Sequence, residues 1–323
     1  MSLVERVRAR LRLSRAKHRS LHGHARLALQ LSRLMPFYEY DEASFLATDG
    51  APADVVARRR DGFHRLSELL TARAPRTLAA SEELEAGLSD VAFVNAYRAT
   101  GVRRYLGDAQ RALRFIAARG WDPRGGGIWW NTHHPYKAGE ALASATLLAA
   151  LLYAQTHSPF ALAQAQKYLA WADTAGFSPA DGLYAASNLN PTPIDYIEGP
   201  LIYAQAVLCR ATSTPALCER AEQLKRTALV RFGYLLDFSP QYDAIYLQWM
   251  LALYALDGDR TLYALAADNA RDAQTRALDG EGLYLLSWNG ERLPRRYALP
   301  GMLQTHAATT SVFAWLAVYP PPP

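Results

Sequence analysis

Four times along this chain an apolar helical run stops at a short polar turn and a second helical run follows. The first runs are Asn95–Ala99, Leu147–Gln155, Leu201–Arg210 and Tyr246–Leu256. The turns are Thr100-Gly101, Thr156-His157-Ser158-Pro159, Ala211 to Pro215, and Asp257-Gly258-Asp259. Turn residues stand where a helix must end, and Pro159 and Pro215 open the next helix with φ already set. Connections this short make the paired helices antiparallel neighbours. A single hairpin cannot bury both faces of its helices, so the hairpins must stack on one another.

Between hairpins a second piece recurs. Gly127-Ile128-Trp129-Trp130-Asn131 resembles Gly182-Leu183-Tyr184 with Asn188, and Gly282-Leu283-Tyr284 ahead of Trp288-Asn289. Each reads as a short extended segment leading into the next inner helix, with an aromatic residue free to face a central cavity. Such linkers arriving at one end of the stack predict an all-α fold: an α/α toroid of stacked antiparallel hairpins. The alternative is an open helical superhelix whose aromatics are core. Ala and Leu dominate the composition, and both are strong helix formers.

Residues 1–80 differ and are expected to form a basic, helical extension ahead of a toroid domain at 81–323. Residues 1–35 hold nine Lys/Arg against Glu5, so the net charge of +5 comes from the tail and the body is slightly acidic. A basic tail can meet nucleic acid or anionic lipid, but a solvated terminus is the reading adopted, and no nucleic-acid partner is expected. No apolar stretch follows the basic residues as in a secretory signal, which points to a cytoplasmic location. Ala141 to Ala154 is too short to span a bilayer. Cys209 and Cys218 can bridge two antiparallel helices, yet free buried thiols are the expectation. No Cys/His spacing suits zinc and no Gly-rich loop suits phosphate, so no metal and no cofactor is expected.

The blocks Ala96-Tyr97-Arg98-Ala99-Thr100-Gly101, Gly120-Trp121-Asp122 and Gly125-Gly126-Gly127-Ile128-Trp129-Trp130 are similar to glycoside hydrolase family 76, hydrolases and transglycosylases of α-1,6-mannan. Tyr136-Lys137, Tyr196-Ile197-Glu198-Gly199 and Tyr242-Asp243-Ala244-Ile245-Tyr246 continue the resemblance in order, over about residues 84–318. Family members carry two adjacent aspartates upstream of the Ala-Tyr pair. Here those places fall on Leu84 and Glu85, and the aromatic pair expected after them falls on Leu88 and Ser89. Two expected asparagines fall on Ala138 and Leu142, and an expected Lys and Arg fall on Asp243 and Gln248. More faintly, residues 20–98, with Pro36-Phe37-Tyr38-Glu39-Tyr40-Asp41, resemble the N-terminal flank of aminotransferases related to glutamate-1-semialdehyde aminomutases. None of the four lysines stands in a recognisable cofactor context, so no aminotransferase is expected.

Retaining glycoside hydrolysis needs two carboxyl groups about 5–5.5 Å apart. The resemblance points to Glu85, with Asp90 nearby, as the catalytic candidates; a solvated acidic first turn is the competing structural reading. Trp129, Trp130, Asn131 and Tyr184 are candidate sugar contacts, because an aromatic face suits the C–H side of a pyranose. Asp195, Tyr196 and Glu198 open a helix, where Asp-x-x-Glu is also a capping pattern. Lys137, Asp243 and Gln248 complete the candidate binding set. Three functions follow. The first is a glycosidase or transglycosylase acting on an α-1,6-mannan-type carbohydrate. The second is a non-catalytic glycan-binding or scaffold protein on the same fold. The third is a sugar isomerase or epimerase using His306 as base.

Overall fold

The computed structural model describes residues 91–323, apart from 92, 99–100, 132–133, 278–283, 286, 291–302, 320 and 323. Glu85 and Asp90, the expected extension at 1–80 and the side chain of His306 lie outside the described residues.

A helical stretch ending at Arg98 is followed by α1 (Arg103–Phe115), which ends in a π-helical turn at Ile116–Gly120. Then come α2 (Gly139–Thr156), α3 (Pro159–Thr174), a two-strand antiparallel ribbon of β1 (Phe177–Ser178) and β2 (Leu183–Tyr184), and α4 (Asp195–Thr212). The chain continues through α5 (Pro215–Phe232), α6 (Pro240–Asp257), α7 (Arg260–Arg276) and α8 (Leu303–Val318).

All four predicted hairpins are present, and one turn builds them all. Gly101, His157, Ser213 and Gly258 take φ of 70°, 51°, 54° and 77°, and each donates its N–H to the carbonyl four residues back. Val102, Ser158, Thr214 and Asp259 follow in extended geometry as N-caps. A left-handed C-cap closes the last carbonyls of one helix, and an extended N-cap reverses the chain into the next. The Ser158 hydroxyl and the Asp259 carboxylate complete two of these caps by accepting from Ala161 and Thr261 N–H.

The helices sort into two layers. α2, α4 and α6 are buried nearly all round, as Ala-Leu stretches without a polar face must be. α3 and α5 bury one stripe only: Ala161, Ala165, Tyr168, Leu169 and Ala172 in α3, and Ala221, Leu224, Lys225 and Ala228 in α5. The inner helices pack in series, α2 on α4, α4 on α6 and α6 on α8, while α3, α5 and α7 cover them from outside. Arg98 hydrogen-bonds the hydroxyl of Tyr203, midway along α4, and Tyr319, just past α8, lies beside both. The first described helix, α4 and the last helix therefore converge there, and the two-layer array is an α/α toroid rather than an open superhelix.

Cys209 of α4 and Cys218 of α5 are joined in a disulfide, which corrects the expectation of free thiols. The tight Ser213-Thr214 reversal brings their Cα atoms to 5.3 Å, within the reach of an S–S bridge. Among the described residues no helix is long and apolar enough to cross a membrane.

Candidate functional site

The Gly-rich loop is locked onto the outer layer. Gly127 takes φ +82°, and a Cβ there would lie 2.6 Å from the Trp171 ring of α3. Trp171 donates its indole N–H to the Gly125 carbonyl at 3.1 Å. Lys137 Nζ pairs with Asp122 Oδ2 at 2.9 Å and sits over the Trp129 and Trp171 rings at 5.2 and 5.9 Å. The hydrogen bond from Lys137, then that from Arg124 N–H, holds the Asp122 carboxyl below its usual range. The charge of Lys137 thus helps to close this loop. Trp129 stacks on His134 and Trp130 on Tyr136, with ring centroids 4.9 and 5.9 Å apart. Both Trp residues and Asn131 are half-buried.

Tyr184 is enclosed between α3 and α4. Its ring is 1% exposed, and its hydroxyl donates to Asp173 Oδ1 of α3 at 2.8 Å and accepts from Gln205 Nε2 at 3.3 Å. Glu198 is equally enclosed: Oε1 accepts the Tyr184 N–H at 2.6 Å and Oε2 meets no donor. Burial pushes the Glu198 carboxyl well above the usual carboxylate range, with the Tyr184 N–H and the charge of Arg220 opposing it. Both residues knit the β2 segment to α4.

The accessible cluster forms where α4 and α6 begin. Tyr196 in the first turn of α4 faces Tyr242 in the first turn of α6, with centroids 4.8 Å apart. Phe238, from the 233–239 loop ahead of α6, stacks on Tyr196 at 6.3 Å and leans on Tyr242 at 5.3 Å. Phe238 is 55% exposed. The Tyr196 hydroxyl donates to Glu140 Oε1 at 3.1 Å, which brings in the first turn of α2. Burial raises the Glu140 carboxyl above its ordinary range against this hydrogen bond. The loop is fastened on its other side by Asn269 of α7, which accepts from Leu236 N–H and donates to the Tyr234 carbonyl.

Asp195 and Asp243 lie under this aromatic rim, both buried and in mutual hydrogen-bonding contact. Burial is the main cause that raises both carboxyls, and the negative charge of Asp237 adds to it. Both side chains are almost fully enclosed. Gln248 lies on α6 about one and a half turns deeper and is buried. Sequence reasoning overlooked Glu140 and Phe238 and gave Tyr242 no role. An acid in the first turn of α2, and aromatics four apart around the helix-opening Ser239-Pro240, are the signals that mark them. Among the described residues no three His, Cys, Asp or Glu side chains are placed to hold a metal ion.

The sequence profile of glycosyl hydrolase family 76 matches residues 85–278. The chain belongs to that family. Its fold is similar to the GH76A α-1,6-mannanase of Salegentibacter sp. HEL1_6, with TM-score 0.73 and 18% identity over 88% of this chain and 89% of that one. An inactive variant of that mannanase, with two aspartates changed to asparagine, is known in complex with α-1,6-mannotriose. Dfg5 from Chaetomium thermophilum, in complex with glucosamine, is similar with TM-score 0.72 and 14% identity over 95% and 93% of the two chains. The mannosidase Bt3792 from Bacteroides thetaiotaomicron VPI-5482 has TM-score 0.64 and 18% identity over 73% and 70%. No curated protein sequence matches the chain. At such identities the likeness carries the fold alone, and the aminotransferase resemblance of residues 20–98 finds no support.

Proposed function

We propose that this protein hydrolyses or transglycosylates α-1,6-mannan-type glycans. The observation that carries the reading is the family match over residues 85–278. The stacked rim of Tyr196, Phe238 and Tyr242 at the openings of α4 and α6 supports it, because aromatic faces suit pyranose rings. Glu85 is the carboxylate assigned to the chemistry, with Asp90 as its candidate partner in a two-carboxyl mechanism. Glu140 lies beside the rim with its carboxyl raised by burial, the condition that suits a group holding a proton for a leaving oxygen.

Product analysis with α-1,6-mannotriose and mannotetraose tests this. The full chain is expected to release shorter mannosides, and Glu85→Gln is expected to abolish release while binding persists. Binding without release by the unaltered chain would instead establish the glycan-binding reading, which the Leu84 substitution in the family's aspartate pair favours. Neither binding nor release would remove mannan from consideration.

A further inference from the structure

The contact between Asp195 and Asp243 has no part in the reaction above, yet it joins the two inner helices that carry the rim. One oxygen of each carboxyl is accounted for. Asp195 Oδ1 accepts the N–H of Tyr196 at 2.7 Å, and Asp243 Oδ2 accepts the N–H of Ser239 at 3.0 Å. The others, Asp195 Oδ2 and Asp243 Oδ1, are buried without a donor, and the two side chains touch. Among the described residues, the groups facing the pair supply no positive charge. They are Glu198 on α4, Tyr246 on α6 and Asp237 from the loop, while Glu140 of α2 lies one contact away through Tyr196. The cation that reaches this region, Arg220 of α5, acts on Glu198 and is hydrogen-bonded to Asp173. Two buried carboxylates in contact without a cation cannot both stay ionised, and one proton between them turns repulsion into a hydrogen bond.

Each acid thus holds one backbone N–H of the rim: Tyr196 itself, and Ser239, the residue after Phe238. We propose that Asp195 and Asp243 form a proton-dependent latch, in which a shared proton keeps Tyr196 and the Phe238 loop in register and its loss frees the loop from α4. Both are positioning residues acting through the rim. The latch follows from the fold and does not require a mannan substrate.

Two measurements on the full chain test it, each comparing the unaltered protein with Asp243→Asn. The first is urea unfolding as a function of pH. The folded pair retains a proton that an unfolded aspartate releases near 3.8, so stability is greatest in acid and falls as pH rises above that value. The unfolding constant should rise by up to about tenfold per pH unit for this one proton. In Asp243→Asn the proton is no longer shared: Asp195 titrates alone, still raised by burial but with the amide as donor to its ionised form, so that component of the slope should shrink. Glu140 and Glu198 contribute equally to both proteins. Parallel curves would overturn the latch. The second is hydrogen exchange of the segment 233–243, corrected for the intrinsic rate. Its protection should fall with rising pH in the unaltered chain and respond less to pH in Asp243→Asn. The same pH response in both would show that the pair does not hold the loop. Should Asp243→Asn fail to fold, Asp195→Asn provides the same comparison from the α4 side. Neither measurement uses a glycan, so absence of mannan turnover leaves the latch standing, and a failed latch leaves the mannan reading standing.

Discussion

The two ends of α6 solve the problem of buried charge in opposite ways. At its C-terminal end Lys225 of α5, 6% exposed, is met by Glu222, Asp257 and Asp259 at 2.6, 3.4 and 2.8 Å. At its N-terminal end Asp195, Asp243 and Glu198 are buried, and among the described residues no cation sits on the aspartate pair. A compensated charge ties α5 to the α6–α7 turn as long as the carboxylates stay ionised, which includes neutral pH. Acids that stay buried by holding protons make the rim end conditional. The contrast teaches that the far end of the toroid is built for stability and the rim end for something that costs stability.

The largest effect expected from testing this contrast is at Lys225. Lys225→Met leaves three carboxylates facing one another and should cost ~3 kcal/mol in urea unfolding at neutral pH, the low end for a broken buried pair because those carboxylates keep part of their water. At the rim end the sign reverses. Glu198→Gln removes a group whose folded form holds a proton, and the variant should be more stable than the parent at neutral pH by about 1–2 kcal/mol. That gain should vanish as pH falls towards the unfolded carboxyl value of 4.5, where the parent glutamate is protonated in both states. A loss at neutral pH would place an ionised Glu198 in the folded protein and break the contrast. Tyr184→Phe deletes the hydroxyl contacts to Asp173 and Gln205 and should cost ~1 kcal/mol with no effect on glycan affinity, as calorimetric titration would show. The smallest effect on stability, under ~0.5 kcal/mol, is expected for Phe238→Ala because the ring is largely exposed. Its affinity for α-1,6-mannotriose should nevertheless drop about tenfold, ~1.4 kcal/mol. Unchanged affinity would remove Phe238 from the ligand surface.

The hairpins are legible in the sequence because the turn chemistry is local. Gly101, Gly258, Pro159 and Pro215 announce helix ends without any knowledge of the rest of the chain. The site is less legible because its members are sorted by the outer layer. Ile128 and Leu183 are both fully buried, as the repeated Gly-apolar-aromatic pattern suggests. The aromatic that follows is half-buried as Trp129 and fully enclosed as Tyr184. What separates them is Asp173 on α3, which captures the Tyr184 hydroxyl, and no spacing within the linker encodes that partner. Lys137 is a similar case. Its place after Tyr136 is visible in the sequence, but Asp122 and Trp171 meet its ammonium through tertiary contacts. The Asp195–Asp243 contact joins residues on successive inner helices, so it becomes visible only when those helices stand side by side. The family's aspartate position falls among residues the structure does not describe, and its chemistry remains a reading of Glu85 alone.

The link between Cys209 and Cys218 has a consequence for the life of the chain. Sulfur atoms stay joined where the surroundings are oxidising and are returned to thiols by the reductants of a cytosol. Material matured in those two settings should differ in mass by two hydrogens. The expectation of a cytoplasmic home, drawn from the lack of an apolar signal-like stretch after the basic residues, therefore stands against a covalent mark of the opposite environment, and an intact-mass measurement on protein from its native source decides between them.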